Sequence, residues 1–181
     1  NLDADQLYML ENMYGGFVRN GANLPVEEKA KLSEINTKLS SLAVQFGQNL
    51  MGETNAYQLI IEDEDDLDGL PESVKAAGAQ EANRVGLEGK WVFTTQRSSM
   101  YPFLTYATNR DLRRQIYTAY TMRGDNDNER DNKEISAQIT NLRVKKAKIL
   151  GFDSHADLIL STRMAKTSER VYDLLDELWW P

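Results

Sequence analysis

Six apolar residues, Leu32, Ile35, Leu39, Leu42, Phe46 and Leu50, recur at spacings of 3, 4, 3, 4 and 4. That is the period of one face of an α-helix, and a strand would scatter such a set over both of its faces. The stripe runs for about five turns at 3.6 residues each. It predicts a long helix packed on its neighbours. A coiled coil would need sustained heptads with charge pairing beside the seam, which the sequence does not show. Pro25, Glu27 and Glu28 open this helix, because the helix dipole favours acids in the first turn. Upstream, Leu7, Leu10, Met13, Tyr14, Phe17 and Val18 form a second stripe that stops at Asn20-Gly21. The two stripes predict an antiparallel helical hairpin over 2–52.

From Asn55 the period changes. Tyr57, Leu59 and Ile61 alternate with Gln58 and Ile60, which predicts a strand over 56–62. Lys90 to Thr95, with its β-branched and aromatic residues, predicts a second strand over 90–95. The two are expected to pair, and a two-stranded ribbon is marginal alone, so the surrounding helices must hold it. Between them, Gly69 and Pro71 set a turn and start an Ala-rich helix over 71–85, which Gly86 stops and Gly89 follows with another turn. Met100 to Tyr106, broken by Pro102, reads as an aromatic loop. Thr108 with Asp111 forms a capping-box pattern that opens a helix over 108–123. Its apolar face carries Leu112, Ile116, Tyr117 and Tyr120, with Arg110, Arg113 and Arg114 on the other side. Further helices are expected at 129–150, ended by Gly151, at 154–161, opened by Ser154 with Asp157, and at 168–179, capped by Thr167. The fold class is mainly α, multi-helical, with one small antiparallel two-stranded β element. A chain of 181 residues sets one domain, 1–181, as the expected count.

The chemistry-bearing residues are few. The net charge of −7 and the pI near 4.8 argue against nucleic acid, since phosphate binding needs a concentrated positive face. Lys145, Lys146 and Lys148 suit a helix C-terminus better than a phosphate site. There is no Cys, so neither a disulfide framework nor a thiol nucleophile is available. No stretch approaches a membrane span in length. The acidic runs Glu62–Asp66 and Asp125–Glu129 both miss the calcium-loop template, because Asp68 and Arg130 stand where glycine is needed. Gly86 to Lys90 lacks the spacing of a phosphate loop and reads as a turn before a strand. His155 is the one histidine and has no metal-ligand partners at a useful spacing, so a structural or surface role is expected. Ser98-Ser99 lies in no nucleophile elbow. The carboxylates single out no acid–base pair. Trp91, Phe93, Tyr101, Phe103 and Tyr106 are expected to pack in the core. Trp179-Trp180-Pro181 ends the sequence with a large apolar area, which is expected to pack against further chain in a longer protein. No catalytic, cofactor-binding or metal-binding residue is assigned.

Four strings carry a resemblance: FVRNGANLPVEEKAKLSEINTKLSSLAVQF, then GLPESVKAA with GLEGKWVFT, then YPFL with NRDLRRQIYTAY, then DNKEISAQITNLRVKKAKILGFDSHADLIL with RMAKTSERVYDLLDELW. In order and spacing they resemble the N-terminal half of the thimet oligopeptidase / peptidyl-dipeptidase family of zinc metallopeptidases. The bacterial peptidyl-dipeptidases (dipeptidyl carboxypeptidases) look nearest and the oligopeptidase A branch second. The resemblance implies a neurolysin-like helical region forming one wall of a channel that admits short, unfolded peptides. It implies a hydrolase that releases C-terminal dipeptides or acts as an oligopeptidase, with zinc in the parent protein. The family's H-E-x-x-H helix, whose histidines bind zinc and whose Glu acts as general base, is absent here. The chain is therefore expected to be an inactive fragment holding no cofactor, its partners being short peptides and the missing C-terminal catalytic part, with neither nucleic acid nor membrane. The cytoplasm is the expected compartment, with the periplasm left open because the sequence starts at Asn1 inside a helix. The alternative is a free-standing helical domain that binds peptides or a partner protein without catalysis. It needs nothing after Trp180, whereas the peptidase reading requires a downstream H-E-x-x-H.

Overall fold

The computed structural model describes residues 2–180, so Asn1 and Pro181 lie outside the described residues. In chain order the elements are α1 (Ala4–Arg19), α2 (Val26–Ala56), β1 (Leu59–Ile61), a 3-10 turn (Glu64–Leu67), α3 (Glu72–Arg84), β2 (Trp91–Phe93), α4 (Arg97–Tyr106), α5 (Arg110–Thr121), α6 (Lys133–Ile149), α7 (His155–Leu160) and α8 (Ser168–Trp179). The class is the expected one: mainly helical, with one two-stranded antiparallel sheet among the described residues. Contacts gather the chain into two compact units, Val44–Glu134 and Asn1–Ala43 with Ile135–Pro181.

The Val44–Glu134 unit is built on the sheet. β1 and β2 pair in the register Leu59↔Phe93, Ile60↔Val92 and Ile61↔Trp91. Leu59 and Ile61 point into the core while Ile60 is 43% exposed, so β1 keeps the alternation of a half-buried strand. The core joins these residues to Leu67, Leu70, Met100, Phe103 and Ile116. At its centre the rings of Phe93 and Phe103 lie 4.6 Å apart, tilted by 49°, a favoured geometry for aromatic pairs. The acidic run after β1 has a local job. Asp63 accepts from the Asp65 N–H to start the 3-10 turn, and Asp66 accepts from Asn109 Nδ2 at 2.8 Å.

Three expectations in this unit are corrected. The Met100–Tyr106 segment is not a loop but most of α4, with Pro102 inside the helix. Pro102 removes one ladder bond, yet Met100, Phe103 and Ala107 fall at helical spacing and are all buried, so tertiary packing outweighs the local cost. Of the five aromatics expected inside, Phe93 and Phe103 are core, Trp91 is half-buried, and Tyr101 and Tyr106 are exposed. The cap of α5 is Asn109 rather than Thr108. Asn109 Oδ1 accepts from the N–H groups of Asp111 and Leu112, while the Thr108 hydroxyl donates to Asp68 at 2.9 Å. Asn109→Ala therefore removes both the cap and the bond to Asp66. Its expected cost is about 2 kcal/mol, toward the upper end for a lost cap, read as a shift of the urea midpoint. A change under about 0.5 kcal/mol would mean that Asn109 does not cap α5.

In the Asn1–Ala43 and Ile135–Pro181 unit, the α2 stripe is present, with Leu32 and Leu42 buried and Ile35 and Leu39 half-buried. Lys146 Nζ donates to Asn36 Oδ1 at 2.8 Å, which ties α6 to α2. Gly151 ends α6 as expected, with φ of +82°. Phe152 N–H donates to the Ala147 carbonyl and Gly151 N–H to that of Lys148, a Schellman motif. Ser154 and Thr167 cap α7 and α8 as expected. A reciprocal Asp3–Gln6 capping box starts α1. Neither α1 nor α8 buries a residue. The α1 stripe, with Leu7, Leu10, Met13, Tyr14 and Phe17, stays exposed, as do Leu174, Leu175, Leu178 and the 77%-exposed Trp179 and Trp180. Phe17 of α1 lies beside Leu32, Ser33 and Asn36 of α2 at the turn between the two helices.

Candidate functional site

A cleft of about 730 Å³ lies within the Val44–Glu134 unit. Its position follows from how α3 meets the sheet. Gly78 is buried in the middle of α3, and a Cβ there would lie 2.8 Å from the Phe93 ring. Only glycine lets the helix come this close to β2. The approach makes Val74, Ala77 and Gly78 one wall and Val92 and Phe93 the floor. Thr94, Gln96, Ser98 and Ser99, on the turn from β2 into α4, form the facing wall. Thr54 and Asn55, at the end of α2, with Gln58, close one end.

The facing wall is held by its own hydrogen bonds. Thr94 N–H donates to Ser99 Oγ at 3.0 Å and Gln96 N–H to Thr94 Oγ1 at 3.3 Å. The buried Thr95 hydroxyl donates to the Thr54 carbonyl at 3.2 Å. Thr54 is also fixed from behind, because Arg123 Nη1 donates to its hydroxyl at 2.7 Å while the guanidinium stacks 3.9 Å from the centre of the Tyr120 ring. Arg97 and Arg123 beside the Tyr120 phenol hold it below the ordinary tyrosine range, Arg97 most strongly through a hydrogen bond.

The one charged pair in the lining is Glu81 with Arg84, joined through Arg84 Nε at 2.8 Å and Nη2 at 2.5 Å. The hydrogen bond from Arg84 holds the Glu81 carboxyl below its usual range. Glu81 is thus committed as an anion paired to a neighbour one turn away, which is the opposite of a base poised near neutrality. Ser98 and Ser99 have no histidine in the lining to take a proton. The lining thus offers neutral hydrogen-bonding groups and one committed ion pair.

The acidic run at Asp125–Glu129 closes on a lysine. Lys133 Nζ lies 2.7 Å from Asp125, 2.8 Å from Asp127 and 2.8 Å from Asp131. The ammonium sits where a cation would. Asn126 and Asn128 each donate to Glu53, pinning this loop to the end of α2. Among the described residues no group of three or more His, Cys, Asp or Glu side chains is placed to hold a metal.

His155 is the first residue of α7 and is half-buried rather than free at the surface, with Nδ1 enclosed and without a hydrogen-bond partner. Burial, then the charges of Arg143 and Lys146, hold its pKa below the ordinary histidine value. The native state thus disfavours the imidazolium that the unfolded chain forms near pH 6.5. The sign follows: the contribution to stability is full above about pH 6.5 and is lost as pH falls through the depressed native pKa. Thermal unfolding midpoints are expected to fall between about pH 7 and pH 5, and to fall less in His155→Gln. Equal slopes for both proteins would contradict the assignment.

No sequence motif marks the cleft. Its one advance signal is Gly78, a glycine in the middle of an otherwise Ala-rich helix, which marks close packing.

Residues 103–179 match Peptidase family M3. The chain is 39% identical to oligopeptidase A of Haemophilus influenzae over 93% of its own length and 25% of that protein's. It is 34% identical to oligopeptidase A of Escherichia coli, over 98% of the chain and 26% of the relative. It is 29% identical to dipeptidyl carboxypeptidase of Escherichia coli, again over 98% and 26%. Both branches of the resemblance are present, and identity to oligopeptidase A is the higher, the reverse of the order expected. The chain spans about a quarter of the length of these relatives.

Proposed function

We propose that this chain is a non-catalytic part of a longer zinc peptidase of family M3 that hydrolyses short peptides, and that it forms one wall of the substrate channel. The observation that carries the reading is the alignment of almost the entire chain with about a quarter of each relative. The exposed apolar stripes of α1 and α8 support it, since faces of that size in a larger protein are covered by further chain.

Zinc chemistry in such a protein would activate a water to attack the peptide carbonyl. The residues here do not fit the ion. There is one His, no Cys and no H-E-x-x-H, and no donor cluster among the described residues. The work left to this chain is physical: to shape the channel, hold peptide by neutral hydrogen bonds and exclude folded proteins. Among the described residues no helix is long and apolar enough to cross a membrane. The apolar faces also suit the alternative, a binding module without catalysis, and the two readings separate on zinc. After incubation with zinc and gel filtration, the 181-residue chain is expected to retain no stoichiometric metal, and the product of the full reading frame to retain one tightly bound ion. A chain that holds one zinc by itself would overturn the division of labour.

A further inference from the structure

We infer that the cleft between α3 and the β2–α4 turn docks a neutral, extended stretch of peptide, away from any bond the longer protein cuts. The choice of peptide among neutral polymers rests on the peptidase reading above. The cleft's volume, about 730 Å³, lies within the range of about 300–1,000 Å³ common to sites for small ligands. Its chemistry narrows the ligand. Asn55, Gln58, Thr94, Gln96 and Ser98 supply neutral donors and acceptors above a closed floor of Val92 and Phe93. A backbone that offers alternating N–H and C=O groups, with small side chains between, matches that pattern.

Other classes fit worse. A phosphate-bearing ligand needs an uncommitted cation, and Arg84 is already bidentate to Glu81. A sugar is usually held on an exposed aromatic face, and the aromatic ring in this lining, Phe93, is only 1% exposed. An acyl chain would lie against the side-chain amides of Asn55, Gln58 and Gln96 and the Ser98 hydroxyl without offering them hydrogen-bond partners. The neutral lining and the committed ion pair separate the docked stretch from the reacting bond. Docking there adds binding energy for peptides long enough to reach it and none for shorter ones.

The test uses the 181-residue chain as it stands. The probe is an acetylated, amidated hexapeptide of alanine, leucine, serine and glutamine, titrated into isotope-labelled protein and followed by amide shifts. Saturable shifts are expected at Ser73, Ala77, Thr94 and Ser98. Ala77 is exposed at the wall, so Ala77→Trp fills the cleft from the solvent side and leaves the core alone. It is expected to weaken binding about tenfold, the size of one lost hydrogen-bonded contact, with the unfolding midpoint unchanged. Ser73→Trp, one turn earlier on the same wall, is expected to do the same. Unsaturable shifts, unaltered affinity in both variants, or equal binding of maltohexaose would overturn the inference. Failure of the peptidase reading has a separate signature: no zinc and no cleavage in the full reading-frame product, whatever the cleft binds.

Discussion

Phe103→Ala is expected to destabilise the Val44–Glu134 unit by about 4 kcal/mol, in the middle of the range for emptying a buried aromatic site. Phe103 is fully buried, packs on Phe93 at 4.6 Å and lies one helical turn from buried Met100. Its removal leaves a cavity at the meeting point of the sheet, α4 and α5, where neighbours are themselves packed and cannot collapse freely. The measurement is urea unfolding followed by Trp91 fluorescence, with Trp179 and Trp180 replaced by phenylalanine so that Trp91 alone reports. Trp91 packs against this core, so its signal follows the right unit. A loss below about 1 kcal/mol would mean that Phe103 is not central to the packing.

Gly69→Ala is expected to cost about 3 kcal/mol, through two separable causes. Gly69 has φ of +82°, a conformation that costs a residue with a Cβ about 1–2 kcal/mol. A Cβ there would also lie 2.3 Å from the Tyr106 carbonyl oxygen and 2.8 Å from Thr108 Cγ2. Backbone cannot give way cheaply, because the turn is docked on the α4–α5 connection by the bond from Thr108 N–H to the Asp68 carbonyl at 3.0 Å. Gly86 is the control. Its φ of +79° is nearly the same, but a Cβ there meets nothing within 4 Å. Gly86→Ala is expected to cost only the conformational part, about 1 kcal/mol. Equal losses in the two variants would show that the close approach at Gly69 carries no energy.

Periodicity and punctuation were the legible parts of this sequence. The stripe from Leu32 to Leu50 marks the buried side of α2, because a helix repeats its face in sequence. Ser154, Thr167 and Gly151 mark helix ends through local backbone bonding, which needs no tertiary partner. What stayed hidden depended on contacts distant in sequence. Pro102 argues against a helix locally, and only the core that receives Met100 and Phe103 reverses that. Thr108 and Asn109 are both good caps in isolation, and Asp66 and Asp68, some forty residues away, decide between them. The cleft is harder still. It is the space left when Gly78 admits the Phe93 ring, and side chains from α2, α3 and the β2–α4 turn share no motif. The resemblance to a family reached further than any local pattern, because it rests on order and spacing over nearly the whole chain.

The central proposal is that this chain is part of a longer zinc peptidase whose metal and catalytic groups lie outside these 181 residues. The direct measurement is hydrolysis of a short quenched-fluorescent peptide by the full reading-frame product and by the 181-residue chain, each with and without a zinc chelator. The account predicts chelator-sensitive cleavage by the full product and none by the chain. Chelator-insensitive cleavage by the chain alone would contradict it and return attention to His155 and the carboxylates.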